Sequence, residues 1–503
     1  MVETLKTVWM SLTRRWPLVY TVAALVVAAA TYGIRYHEPR ALFWDENYHI
    51  ASAQKYLDGV MYMEPHPPLG KLLLAFGEWL LDPNAGKDKS RFVRVDYIKD
   101  ADLPPDMSFA GFRLMSVLCM ILAAPFFFRT ALNVTGNAHL AAAATVPLLF
   151  DNGVIVHSRG AMLEGIQLFF LVLALWYFTR IITRGRPVPW WRYGLLGFLV
   201  GLVIAVKVNG AVLLLLFPAL FGWAWWPALR AGRWREPLAA LPGAAAAATG
   251  AIGAVLLAVM YVHIALGQTV VPGKTYRASP EYLELIRSGR SASLAAFVVG
   301  LRDNWLYMRD YADGVPRLDP CKPGENGSHP LGWPLGNKTI NYRWAKDTVD
   351  GRTEVRYLYL VPNAAGWFSA FAGVLLGAAL LIAALVFGLR PPDGRRFAWV
   401  VLFTVLYFAY MAAILQIERV MYLYHYFVPL LFAWLNLAAL GAYLFADQTG
   451  TGRRHFYANL AAFGLIVLLV YWHFSPLTYY RPLTEGEFAL RQWFDFWKMA
   501  PVR

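Results

Sequence analysis

At 503 residues the chain is 58% hydrophobic and only 16% charged, with a mean hydropathy of +0.43. Ordinary soluble domains carry roughly 25% charged residues, so a soluble globular fold is excluded and the apolar surface belongs against lipid. The net charge of +14 comes without a long basic block or an RNA-binding aromatic motif, which argues against a nucleic-acid partner and for arginines that set membrane topology.

A bilayer core of ~30 Å needs about 20 apolar residues per helix. Eleven segments are candidates: about 17–34, 109–128, 138–156, 163–182, 193–206, 210–226, 243–266, 364–389, 397–415, 424–446 and 457–474. The pattern predicts an all-α polytopic membrane protein, read as one membrane domain over residues 1–503. Arg14 and Arg15 precede the first span. Alternate short loops then hold Arg180, Arg184, Arg186 and Arg192; Arg230, Arg233 and Arg235; Arg390, Arg395 and Arg396; Arg453 and Arg454. The positive-inside rule puts these in the cytoplasm, with the N-terminus inside and the C-terminus outside. The first apolar stretch is not followed by a small-residue cleavage site and reads as a retained anchor.

Two outer segments are long, residues 35–108 and 267–363. In the first, Asn47–Leu57 has helical composition with Asp45 placed as its N-cap. A second helix is expected to start at Pro67-Pro68 and to run through Leu69, Leu72, Leu73, Phe76, Trp79 and Leu80, apolar at helical spacing. At ~14 residues, or ~21 Å, it is too short to span. Two amphipathic helices lying on the membrane surface are expected here, followed by a surface loop from Asp82 to Asp106. The second outer segment has turn signals at Asp319-Pro320 and Pro323-Gly324 and reads as loop-rich. In the tail, residues 475–503, Thr484 and Glu487 form a capping-box pattern ahead of Leu490, Trp493, Phe494 and Trp497, the mark of an interfacial helix. Cys119 falls inside a span and Cys321 in an outer loop, so they are not expected to pair. No metal-type Cys/His spacing occurs, and no cofactor is implied.

Charge at a membrane face is expensive unless something uses it. Asp45 and Glu46 adjoin Phe43 and Trp44; one carboxylate can serve as a base, or the pair can simply open a helix, worth about 0.5–2 kcal/mol as a cap. His66 and Lys71 flank a helix start and suit an anion, or Lys71 snorkels to head groups. Arg113 near the outer end of the second span calls for a counter-charge or a phosphate. Arg159, Glu164, Lys207 and His425 each read as packing residues or as site residues. All fall on the outer half of the topology. Together they suit a lipid-linked phosphate substrate, with cations holding the phosphate and a carboxylate taking a proton from an acceptor hydroxyl.

The same residues lie in motifs that resemble, in order, those of the protein O-mannosyltransferase family of GT-C membrane glycosyltransferases. FWDEN at 43–47 is similar to the family's Asp-Glu motif and HPPLGK at 66–71 to its signature. FAGFRLMSVL, DNGVIVHSRGAMLEG, AVKVNG, HPLGWPLGNKTINYRW, LYLVPNAAGWF and LYHYFVPLLF follow at the family's positions. The resemblance implies a GT-C fold and inverting transfer of mannose from a polyprenyl-phosphate carrier to Ser or Thr of an exported protein. It makes Asp45 the base, assisted by Glu46. It implies donor phosphate or sugar binding for the set His66, Lys71, Arg113, Arg159, Glu164, Lys207 and His425, with no metal.

The chain departs from the family in lacking the β-trefoil MIR domain of eukaryotic members between spans seven and eight, as in prokaryotic homologues. Glu164 also stands where Asp is common, Val208-Asn209 replaces Trp-Val, and Val361-Pro362-Asn363 alters Leu-Gly-Asn-Pro. Two alternatives stay open. One is a polyprenyl-phosphate-sugar transferase acting on lipid A or a cell-surface glycan; the other is a transporter or flippase, which would spread its charges through mid-membrane depth. A bacterial inner membrane with a periplasmic site is the expected location, and a homodimer is a partner expectation from eukaryotic relatives.

Overall fold

The computed structural model describes residues 2–319, 321–349, 352–445 and 447–502. Among these, nine helices have spanning length and composition: Arg15–Gly33, Ala110–Thr135, Leu163–Arg184, Val208–Arg230, Arg235–Leu266, Ala364–Val386, Gly394–Leu415, Leu423–Phe445 and Gly450–Thr478. Ala138–Phe150 and Asn152–Ser158 make a tenth, bent by 56°. The expected count of eleven is not reached. The remaining segment is helical at Trp190–Val206, but its 17 residues extend only ~26 Å.

The bend has a local cause. Asp151 leaves the helical conformation and caps the second half, accepting from Val154 N at 2.8 Å. Its other oxygen accepts from Trp367 Nε1 at 2.6 Å and from Asn363 N at 3.2 Å. A short helix is thereby turned out of line and carries His157 and Arg159 toward the face that bears the long loops.

Both helices of the first outer segment form, at Glu46–Leu57 and Leu69–Leu81. The first is not interfacial: Ile50, Ala51, Ala53 and Lys55 are buried, so this helix belongs to the core. The second keeps Phe76, Trp79, Leu80 and Leu81 exposed. Its other face packs closely on Ala110–Thr135 through glycine: a Cβ at Gly111 would come within 2.7 Å of the Glu78 Cα, and one at Gly77 within 2.5 Å of the Gly111 carbonyl oxygen.

The second outer segment is more ordered than its composition suggests. Helices Pro280–Arg287 and Leu294–Gly314 precede a sheet of order β1-β2-β3, in which β1 (Ile340–Val349) pairs antiparallel with β2 (Arg352–Leu360), and β2 with β3 (Pro482–Leu483). The helical expectation did not include this sheet. The reason lies in the second half of β2, Tyr357–Leu360, which is buried on both faces. Val355, Tyr357 and Tyr359 pack with Phe474, Phe488 and Trp497, while Leu358 and Leu360 join the core of the helical bundle. A strand covered on both faces shows no apolar alternation. A register irregularity between Asn341 and Arg343 frees Tyr342 from the ladder.

At the tail, Thr484 Oγ1 accepts from Glu487 N and completes the capping box. The helix runs only Glu485–Ala489, and Trp497 is fully buried rather than interfacial.

Candidate active site

The chain between the first span and Asp45 is irregular, and two buried arginines hold its carbonyls. Arg159 donates to the oxygens of Tyr32, Ile34 and Arg35 at 3.1, 2.7 and 2.8 Å and lies over the Tyr479 ring. Arg113 donates to His37, Pro39 and Ala41 oxygens at 2.9, 2.8 and 2.9 Å and grips Glu46 at both oxygens, at 2.7 and 2.8 Å. A guanidinium has five N–H groups, and all of them are used. Arg113 therefore has nothing left for a phosphate, and the expectation that it binds donor is corrected to one of holding this loop. Glu46 is equally engaged: it also accepts from Ala161 N at 2.8 Å and Phe43 N at 3.2 Å, so it does not act beside Asp45. Lys71 is neutralised by Glu64 at 2.6 and 2.7 Å and bonded to Ser52, which removes it from the anion site expected at this helix start.

Asp45 is different. It occupies the N-cap position of Glu46–Leu57, yet its side chain makes no capping bond. The preceding Trp44 has φ of 50°, a left-handed conformation uncommon for a bulky residue. Trp44 is wedged between the rings of Tyr342 and Tyr422, at 5.1 and 5.3 Å. The carboxylate so released receives a hydrogen bond from Tyr424 Oη at 3.1 Å and lines a polar cavity of about 540 Å³ with Asn341, Tyr342, Arg343 and Tyr422. Burial raises its pKa above the usual carboxylate value, and the nearby charge of Glu164 adds to the effect.

A cavity of about 860 Å³ lies beside Lys207, whose ammonium sits 5.6 Å from the Tyr424 ring centre. Val212, Leu215, Ala413 and Ile414 form an apolar wall, and Lys207, His66, His425 and Arg419 supply polar groups, with the carboxylates of Asp313 and Glu418 also on the lining. Among the described residues, Arg419 has no carboxylate within ion-pair distance. Lys207 follows the end of Trp190–Val206. Its carbonyl is held by Gln167 Nε2 at 3.0 Å, and Asn209 bridges Gln167 and Tyr410. Lys207 Nζ is 2.5 Å from Glu164 Oε1, and Glu164 Oε2 is 2.8 Å from His157 Nε2. His425 stacks on Tyr424 at 4.6 Å and on Trp333 at 6.1 Å. His66 is half-buried at the cavity rim, where burial and the charge of Lys207 push its pKa well below the ordinary value.

Two sequence-family profiles match the chain in succession: dolichyl-phosphate-mannose-protein mannosyltransferase over residues 22–269, and the C-terminal four-transmembrane region of protein O-mannosyltransferase over residues 317–497. The chain belongs to this family. Among protein O-mannosyltransferases, Candida albicans dolichyl-phosphate-mannose–protein mannosyltransferase 5 is 30% identical over 189 residues, covering 37% of this chain and 24% of that protein. Drosophila melanogaster protein O-mannosyl-transferase 2 is 25% identical over 207 residues, 40% of this chain and 26% of that one. The aligned region thus spans about a quarter of the curated relatives' length. The solved Saccharomyces cerevisiae protein O-mannosyltransferase Pmt1-Pmt2 complex, bound to the sugar donor, superposes with a TM-score of 0.79 over 96% of this chain and 92% of that chain, at 14% identity. The fold is that of the GT-C glycosyltransferases.

Of the expected site residues, the structure places Asp45 on the polar cavity and Lys207, His66 and His425 on the larger one, with Glu164 buried behind Lys207, and leaves Glu46, Lys71, Arg113 and Arg159 as structural ties. Sequence reasoning passed over His157, Tyr342 and Arg419 as site residues. His157 had a signal: it stands seven residues before Glu164 in the same short motif, although the chain leaves the helix between Ser158 and Leu163. Tyr342 had none, since its position depends on the strand irregularity.

Proposed function

We propose that the chain is an inverting mannosyltransferase that moves mannose from a polyprenyl-phosphate carrier to Ser or Thr hydroxyls of exported proteins. The observation that carries this reading is the carboxylate of Asp45, released from capping, lining the polar cavity and bonded to Tyr424, whose ring lies 5.6 Å from the ammonium of Lys207 on the wall of the larger cavity. The polyprenyl phosphate occupies the larger cavity, its chain leaving along Val212, Leu215 and Ile414. Lys207 and Arg419 hold the phosphate, with His66 and His425 at its margin. The acceptor hydroxyl enters from the polar cavity. Asp45 takes its proton as the hydroxyl oxygen attacks the anomeric carbon, the bond from that carbon to the phosphate oxygen breaks, and polyprenyl phosphate leaves with the electron pair. The developing charge on the leaving group meets cations already positioned where that charge appears, which is where they stabilise the transition state.

The reading places the site on the periplasmic side of a bacterial inner membrane. In support, the chain reverses between Thr135 and Ala138, Arg184 and Trp190, Arg230 and Arg235, Val386 and Gly394, and Phe445 and Gly450, and the arginine groups lie in four of these turns or in the helix ends that border them. They lie opposite Asp45 when Trp190–Val206 is counted as a crossing.

The test uses purified protein in detergent, tritiated polyprenyl-phosphate mannose and a Ser/Thr-rich peptide. Label on the peptide with wild type and none with Asp45→Asn is the expected result. Label on lipid A or a surface glycan instead of the peptide would move the acceptor to that class, and uptake into proteoliposomes without any sugar transfer would replace the enzyme reading with a transporter.

A further inference from the structure

Four side chains form a hydrogen-bonded path from one cavity to the other. Lys207 stands on the wall of the larger cavity and meets Glu164 Oε1 at 2.5 Å. Glu164 Oε2 meets His157 Nε2 at 2.8 Å, and His157 Nδ1 meets Tyr342 Oη at 2.6 Å. Tyr342 lines the polar cavity beside Asp45. Glu164, His157 and Tyr342 are all buried, so water competes little along the path. The Tyr342 ring is fixed from the Asp45 side as well, packed on Trp44 and on Phe43 at 6.0 Å.

The direction of each bond follows from what each group can donate. An ionised carboxylate only accepts, so His157 Nε2 carries the proton shared with Glu164. Lys207 already offsets the charge of Glu164, on whose far side His157 lies. With Nε2–H given to Glu164, Nδ1 is the acceptor of the ring, so the Tyr342 hydroxyl donates to it and keeps its oxygen lone pairs for another partner.

We propose that Tyr342 is a contact for the acceptor polypeptide, that His157 positions it, and that this path couples donor binding to acceptor binding. The proposal rests on the mannosyl-transfer reading above. A phosphate arriving beside Lys207 draws the ammonium from Glu164. Glu164 then relies on the His157 N–H, that bond strengthens, and the adjoining Tyr342 O–H···N bond strengthens with it, since neighbouring hydrogen bonds polarise one another. The hydroxyl proton is held toward His157, and the oxygen becomes a better acceptor for an N–H or O–H of the peptide. No proton leaves the path and no covalent bond changes. Coupling of this kind is reciprocal: acceptor tightens donor by the same factor.

The test is a binding measurement on the full chain in detergent, with unglycosylated polyprenyl phosphate as the donor-side probe and a Ser/Thr-rich peptide titrated by calorimetry. Wild type is expected to bind the peptide about 5-fold more tightly or better when polyprenyl phosphate is present, the low end of usual coupling factors. Tyr342→Phe, which keeps the ring and its packing, is expected to abolish that gain while its affinity for polyprenyl phosphate alone stays within about 2-fold of wild type. His157→Gln is expected to do the same. A gain that persists in Tyr342→Phe, or no gain in wild type, overturns the proposal. The mannosyl-transfer reading fails separately: a wild-type preparation that binds polyprenyl phosphate but transfers no sugar removes that reading, while the coupling measurement, which needs no turnover, still decides the path.

Discussion

Asp45 and Glu46 are neighbours with opposite fates. Glu46 is fully covered and paired with Arg113, whereas Asp45 keeps a free carboxylate oxygen beside a cavity. Asp45→Asn is expected to cost at least 10²-fold in turnover, the usual scale for loss of a general base, with an unchanged thermal unfolding profile in detergent. The base must be ionised to take a proton, and its pKa is raised by burial and Glu164. Activity is therefore expected to fall as pH drops through a value above the ordinary carboxylate pKa of about 4. An acid limb at or below pH 4 in a profile of kcat/KM would contradict this. Arg113→Ala leaves Glu46 buried and unpaired, a change that costs about 3–5 kcal/mol. It is expected to lower the unfolding temperature and kcat together while leaving KM for the donor unchanged; a raised donor KM with normal stability would restore the phosphate-binding role.

At the scale of elements, the helix that starts at Pro67-Pro68 was legible because its apolar spacing and proline start are local signals. Its neighbour Glu46–Leu57 was legible as a helix but not as a buried one. Its polar residues His49, Gln54 and Lys55 suggest a wet surface, and their burial depends on partners far along the chain: Ala161 for His49 and Asp96 for Lys55. The contact of Leu69–Leu81 with Ala110–Thr135 rests on two glycines that no single-sequence pattern marks. Gly111→Ala would press a methyl group into the Glu78 backbone, and overpacking of this kind costs about 1–3 kcal/mol. Differential scanning fluorimetry in detergent is expected to show the loss, while Gly136→Ser, at a site with open space around it, is expected to cost less than Gly111→Ala because it adds backbone strain without a clash.

At the scale of the whole molecule, the topology can be read from two cysteines. Cys321 is exposed in the second outer segment and Cys119 is buried in a span. A membrane-impermeant maleimide applied to intact cells lacking an outer membrane barrier is expected to label Cys321, with Cys119 reacting only after denaturation. Protection of Cys321 until the cells are opened would invert the orientation. The sequence by itself determined that the chain is a helical membrane protein, roughly where its spans lie, and which reaction class its motifs resemble. Those are properties of composition, local period and short motifs, each carried within one or two dozen residues. Tertiary structure decided which charges face a cavity and which are used up. Arginine, lysine and carboxylate look alike in a sequence whether they meet a substrate or, as Arg113 does, carbonyls 72 to 76 residues away. Arg113 and Lys207 are both cations at the same membrane face, yet one spends every donor on Glu46 and the loop before Asp45 and the other opens onto a cavity, because burial and pairing are set by distant segments meeting and not by the residues themselves.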